Sequence, residues 1–221
     1  MRQKTVTTYY NIHTHKPTGA PDVTELVNVY QHFAAAMQYP ACSVGIHPWY
    51  LHDRESQLNE LNKIALQPNV LAIGECGLDK VTKTSWELQL TIFRAQIDLA
   101  ITLHKPLITH CVRAYHEVTL ELKAKHVAVP AIFHGFNKSE AVAQQLLGNG
   151  WYLSFGAALI DGHEQVARVL AAVPDDRFFL ETDDADISIN EIYAAAARIR
   201  NCTADAIILQ QQHNFKTVFN R

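Results

Sequence analysis

Short apolar, β-branched runs alternate with longer amphipathic stretches from one end of this 221-residue chain to the other, and nothing else in the sequence constrains its fold as strongly. Eight runs read as strands, at 8–13, 26–31, 42–47, 71–75, 107–111, 131–136, 151–155 and 178–183. Helical periodicity is clearest at 86–103, where Leu88, Ile92, Ala95, Ile97 and Leu99 recur on one side while Glu87, Arg94 and Asp98 fall elsewhere. Further helices are expected at 56–66, 115–124, 139–147 and 164–172, with two closing helices at 190–200 and 204–219. Strands separated by helices pair in parallel, so the pattern predicts an α/β fold, a TIM-type (β/α)8 barrel.

The first two crossovers break the pattern. Residues 16–21 form a Pro- and Gly-containing loop, and only 34–39 could turn helically before the third strand. Short or missing crossover helices are therefore expected after the first two strands. No linker, low-complexity segment or repeat interrupts the chain, so residues 1–221 are read as a single domain.

With 48% hydrophobic and 19% charged residues, the chain is neither a disordered nor a fibrous sequence. No apolar run approaches a membrane span, and residues 1–10 lack the apolar stretch of a secretory leader, so a cytoplasmic location is expected. Cys42, Cys76, Cys111 and Cys202 are widely spread, which fits four reduced thiols. A net charge of -3 argues against a broad electrostatic grip on duplex nucleic acid, but a small phosphodiester held by metals is compatible with it. Twelve histidines against three tryptophans direct attention to where the histidines fall.

His13 and His15 close the first strand, where alternation points both to one side. Such a pair is weak evidence alone and could equally lie in a surface loop. Glu75, His110, His134 and Asp183 each mark the end of a different strand, and in a barrel those ends gather on the face where active sites are built. Singly, each acid could cap a helix and each imidazole could sit under a loop. Together they form the N/O donor set of a divalent-metal site, in which a carboxylate can bridge two ions.

Seven ordered segments carry a more specific signal: Asn11-Ile12-His13-Thr14-His15, Gly45-Ile46-His47-Pro48-Trp49, Ala72-Ile73-Gly74-Glu75-Cys76-Gly77-Leu78-Asp79, Lys105-Pro106-Leu107-Ile108-Thr109-His110, Phe133-His134-Gly135-Phe136, Leu153-Ser154-Phe155-Gly156 and Leu180-Glu181-Thr182-Asp183. In this set the chain resembles the TatD family of metal-dependent deoxyribonucleases, within the amidohydrolase-like barrels. The resemblance implies two divalent ions (Mg, Mn or Zn). His13, His15, Glu75 and Asp183 would surround one of them, and Glu75, His110 and His134 the other, with Glu75 as the bridge. It also implies Asp183 as the base acting on water and phosphodiester hydrolysis, on DNA ends or single strands, as the reaction. Asn11 stands where the family commonly has an aspartate, Asp184-Ala185-Asp186 replaces the usual proline-containing continuation, and Arg113 is displaced from the commoner His-x-Arg.

His47 faces the same opening, with a substrate-phosphate role or a supporting role behind the ligands, and Arg113 could hold a phosphate or pair with a carboxylate. Cys76 and Cys111 follow Glu75 and His110 directly, so alternation turns them into the packing. Trp49, Tyr50 and Trp151 offer planes for stacking on bases or for packing at the rim. Two other functions suit the same residues: a metal-dependent esterase or deacylase, for instance on aminoacyl-tRNA, and a non-catalytic binding scaffold.

Overall fold

The computed structural model describes residues 8–220. Eight parallel strands form one sheet in sequence order: β1 (Tyr9–Thr14), β2 (Val23–Val29), β3 (Cys42–Val44), β4 (Val70–Asp79), β5 (Leu107–Val112), β6 (Ala131–Phe133), β7 (Tyr152–Phe155) and β8 (Phe178–Leu180). The sheet curls until its two edges meet just beyond β8. There the His15 N–H donates to the Asp183 carbonyl at 2.9 Å and the Asp183 N–H to the His13 carbonyl at 3.0 Å.

Among the described residues seven α-helices pack outside or below the sheet: α1 (Arg54–Ile64), α2 (Trp86–Leu103), α3 (Tyr115–Ala124), α4 (Glu140–Leu147), α5 (Glu164–Ala172), α6 (Ile189–Ile199) and α7 (Ala204–Phe219). Local chemistry fixes their ends. Ser85 caps α2 by accepting from the Leu88 N–H, and His104 ends it in the left-handed region at φ 52°. Ser188 and Glu191 form a reciprocal capping box on α6. The buried stripe of α2, including Ile92, Phe93, Ile97 and Ala100, lies on the outer wall of the sheet.

No α-helix covers the first two crossovers. The segment before β2 is a loop folded around Glu25, which accepts from the backbone N–H groups of Thr18 and Gly19, and the segment before β3 carries only a 3-10 helix, Phe33–Gln38. Among the described residues, no helix is long and apolar enough to cross a membrane.

The buried apolar residues divide into two clusters. The larger fills the space between sheet and helices and includes Cys76 and Cys111. The smaller gathers residues from inside the barrel, among them Ile12, Leu26, Ile108, Ile132 and Phe179, with Phe215 and Phe219 of α7. The phenylalanines of α7 meet Tyr10, the second residue of β1, and Phe179, so α7 plugs the N-terminal end of the barrel.

Candidate metal centre

At the opposite end the strands exchange hydrocarbon for polar groups. Along β5, Ile108 faces the interior cluster and His110, two residues on, faces the mouth. Ile132 and His134 repeat this at β6, and Phe179, Glu181 and Asp183 at β8. On β1 and β4 simple alternation fails. Both strands shift register, between Asn11 and Thr14 and between Ile73 and Cys76, so His13 reaches the mouth beside the interior Ile12, and Glu75 does so although Ile73 packs outside. Gly77 lets β4 press onto β5: at φ +154° it has no Cβ, where one would collide with the His110 carbonyl oxygen.

Glu75 is the hub. Its Oε1 lies 2.7 Å from His110 Nδ1, 2.8 Å from His134 Nε2 and 3.2 Å from His47 Nε2, while Oε2 lies 3.5 Å from Nε2 of both His13 and His15. Asp183 Oδ1 faces the same two imidazoles at 3.5 and 3.3 Å. Asn28 clamps Glu75 by donating to Oε2 and accepting from its N–H, both at 3.0 Å.

Two supporting acids set the imidazoles. Asp79 Oδ2 accepts from His110 Nε2 at 3.0 Å, so that nitrogen carries the hydrogen and Nδ1 turns to Glu75. Glu181 is fully buried beneath His134, whose Nδ1 stands 3.6 Å away, and accepts from the Ser154 hydroxyl. His47 is oriented differently: its Nδ1 accepts from the Trp49 N–H at 3.1 Å, leaving Nε2–H aimed into the site.

The donor set fits divalent cations. Among the described residues three overlapping groups, His13/His15/Asp183, His13/Glu75/His134 and His47/Glu75/His110, each bring their donor atoms within 4.8 Å of one another. Both nitrogens of the buried His13 and Nδ1 of His134 make no hydrogen bond. The carboxylates 3.5 Å from His13 Nε2 are close enough for attraction but not aligned as acceptors, so its lone pairs stay available.

Burial opposes ionisation throughout this cluster. It is overridden at Glu75, where His134, His110 and His13 hold the carboxyl well below its usual range, and at Asp183, which His13 and His15 lower. Against the same burial, Asp183 and Glu75 push His15 up to about 9 and raise His13, while Glu75 raises His134 and Asp79 raises His110. At His47 burial wins, and the ring is shifted toward neutrality.

His15, His47, Glu75, His110, His134 and Asp183 line one pocket of about 280 Å³, with His13 buried beside them. Tyr30, Trp49, Tyr50 and Asp184 complete its wall. Arg113 is not among them. The chain turns left-handed there, at φ 54°, and leaves its side chain exposed outside the lining. Trp151 is buried, its ring 5.6 Å from Phe133. Sequence reasoning gave no role to Asn28, Asp79, Glu181 or Tyr30. A polar Asn28 within an apolar strand, and an acid four residues beyond Glu75 on the same strand face, were the available signals.

A parallel barrel with histidines and acids gathered at its C-terminal strand ends defines the class of metal-dependent hydrolase barrels. Residues 2–220 match the family described as TatD related DNase, and the chain belongs to that family. A metal-dependent hydrolase of Buchnera aphidicola is 28% identical over 194 residues, covering 80% of this chain and 73% of that one. The 3'-5' ssDNA/RNA exonuclease TatD of Cronobacter turicensis is 32% identical over 178 residues, covering 76% and 66%. A hydrolase from Bacillus subtilis, YabD, is 34% identical over 145 residues, covering 64% and 57%, so the matched region spans roughly two thirds of these relatives' own length. The crystal structure of a TatD homologue from Escherichia coli superposes with a TM-score of 0.85 at 22% identity, covering 98% of this chain and 99% of that one, which shows the shared fold.

Proposed function

We propose that this chain is a two-metal phosphodiesterase acting on DNA ends or single strands. One observation carries the reading: the two oxygens of Glu75 face different imidazole sets, His13 and His15 on one side and His110 and His134 on the other. That is the arrangement of a bridging carboxylate. His13, His15, Glu75 and Asp183 would hold the first ion and Glu75, His110 and His134 the second, with Mg, Mn and Zn all compatible with such donors. When bound, such ions lower the pKa of water and stabilise charge on phosphoryl oxygens.

The protein's own groups do the rest. Asp183 keeps a partly exposed, ionised carboxylate at the mouth, where it can take the proton of an attacking water. Neutral His47 holds its Nε2–H at the mouth, 3.2 Å from Glu75 Oε1, where it would donate to a phosphoryl oxygen of bound substrate. The exonuclease name of the Cronobacter relative supports a nucleic-acid substrate.

The test compares an oligonucleotide, bis(nitrophenyl) phosphate and a carboxylic ester, each with and without added Mg, Mn or Zn. Metal-dependent cleavage of both phosphodiesters is expected. Turnover of the ester alone would transfer the site to acyl chemistry, and no turnover after reconstitution would make the barrel a scaffold. In the same assay Asp183→Asn should retain the ion held by Glu75, His110 and His134 and lose on the order of a hundredfold in turnover. Turnover near that of the unaltered chain at full occupancy would remove the base assignment.

A further inference from the structure

Trp49 is 54% exposed, yet its ring is not loose. The indole N–H donates to Asp79 Oδ2 at 2.6 Å, and the backbone N–H of the same residue donates to His47 Nδ1 at 3.1 Å. Its plane is thus fixed by two residues of the centre, 5.4 Å from the His47 ring. Beside it Tyr30 and Tyr50 stack with centroids 5.1 Å apart, and Tyr30 meets His15 at 5.2 Å. A large apolar plane that is held rigid but left open to water is suited to covering by a flat solute, since stacking on it has little ordering cost left.

The same wall lacks the other means of holding a nucleic acid. Among the described residues neither Lys nor Arg lines the pocket, and its lip is the exposed carboxylate of Asp184. Beyond the phosphate at the reacting centre, a polyanion finds no cation there to replace its counterions.

We propose that Trp49 and the Tyr30–Tyr50 pair form a nucleobase subsite, and that base stacking, not charge contacts along the backbone, selects a single unpaired terminal nucleotide. The reaction side of this inference rests on the phosphodiesterase reading above; the binding side does not. Asp184 disfavours phosphates that continue past the mouth, so short ends are preferred to long strands.

Two measurements on the metal-loaded protein test it. Calorimetry compares adenosine monophosphate with ribose 5-phosphate, and kinetics compare an oligonucleotide with the same strand carrying an abasic terminal nucleotide at either end. The base should improve Kd and KM by about tenfold, within the range measured for one base on one aromatic plane. That ratio should collapse toward one in Trp49→Ala and largely survive in Trp49→Phe, which keeps a plane but loses the N–H to Asp79. Equal binding of the two probes, or a ratio that Trp49→Ala leaves intact, would overturn the proposal. A base preference without any turnover would keep the subsite and remove the phosphodiesterase reading. Turnover blind to the base would do the reverse.

Discussion

The two ends of this barrel are made from the same strands and solve opposite problems. At the N-terminal end Ile108, Ile132 and Phe179 share one apolar cluster with the phenylalanines of α7, which Gln211 and Asn214 pin to the Phe178 carbonyl. Two residues further along the same strands stand His110, His134 and Glu181, and there buried imidazoles and carboxylates crowd one another. One end supplies stability that the other would otherwise lack, because buried charge is costly unless partnered. Position along the strand, rather than strand identity, therefore separates packing from chemistry.

The sharpest break of that contrast is Glu75→Gln. Size and packing are kept, but the shared carboxylate is gone, so bound metal should leave and, on the proposed two-ion reading, turnover should fall by about a thousandfold, the scale of several kcal/mol of lost charge stabilisation. Added metal should restore little. The ion-free protein should stay folded, because the plug is untouched, but should melt somewhat lower, since His110 and His134 lose their carboxylate partner. Metal analysis beside melting and rate measurements checks this, and a variant that fails to fold would mean that the two ends are not separable.

Phe215→Ala is the reciprocal change. The ring sits 4.8 Å from Tyr10 and 4.7 Å from Phe219, and its loss leaves a cavity in the plug. A loss of about 3–5 kcal/mol in unfolding free energy is expected. Metal stoichiometry and turnover well below the melting temperature should be unchanged, and a stripped site in folded protein would contradict the division.

A smaller effect sharpens the polar side. His15, pushed up to about 9, is cationic at neutral pH in the ion-free pocket and must release its proton to become a ligand. Between pH 7 and 9 the apparent metal affinity should therefore rise, by about tenfold per pH unit for each proton displaced, and it should fall on acidification. Calorimetry in two buffers of different ionisation enthalpy counts the protons, and zero release at pH 7 would refute the charged state.

What was readable from the sequence follows the same contrast. Where strands stay regular, as at β5, the candidate ligand stands two residues beyond a core position, and His110 was found because it marks the end of its strand. At β1 and β4 the register shifts are invisible in sequence; His13 and His15 were reached by alternation at the end of the first strand, and Glu75 by its place at a strand end, although neither strand alternates simply there. The strand reading of 71–75 stopped four residues short of the true end of β4 at Asp79, because Cys76-Gly77 looks like a turn until Gly77 is seen against β5. Asp79 was lost with that extension. Arg113 was suggested by its nearness to His110 in sequence, but the left-handed turn after β5 carries it away.

Asp79 gives the smallest and most discriminating test, because it touches the centre only through other residues. Its Oδ2 accepts from His110 Nε2 and Trp49 Nε1, and its Oδ1 accepts from the Val81 N–H at 2.7 Å, so both oxygens are committed as acceptors. An asparagine has one acceptor, and one of these donors must then face an NH2 group. If that donor is His110, the ring is freed to carry its hydrogen on Nδ1, the nitrogen aimed at Glu75. Asp79→Asn should therefore weaken metal affinity by about tenfold to a hundredfold, the usual scale for a partner behind a ligand. Saturating metal should bring turnover back near that of the unaltered chain, which is the response Glu75→Gln cannot give. A rate that stays low at full metal occupancy would mean that Asp79 acts on the substrate itself, and the division between residues that hold the imidazoles and residues that face the mouth would have to be redrawn.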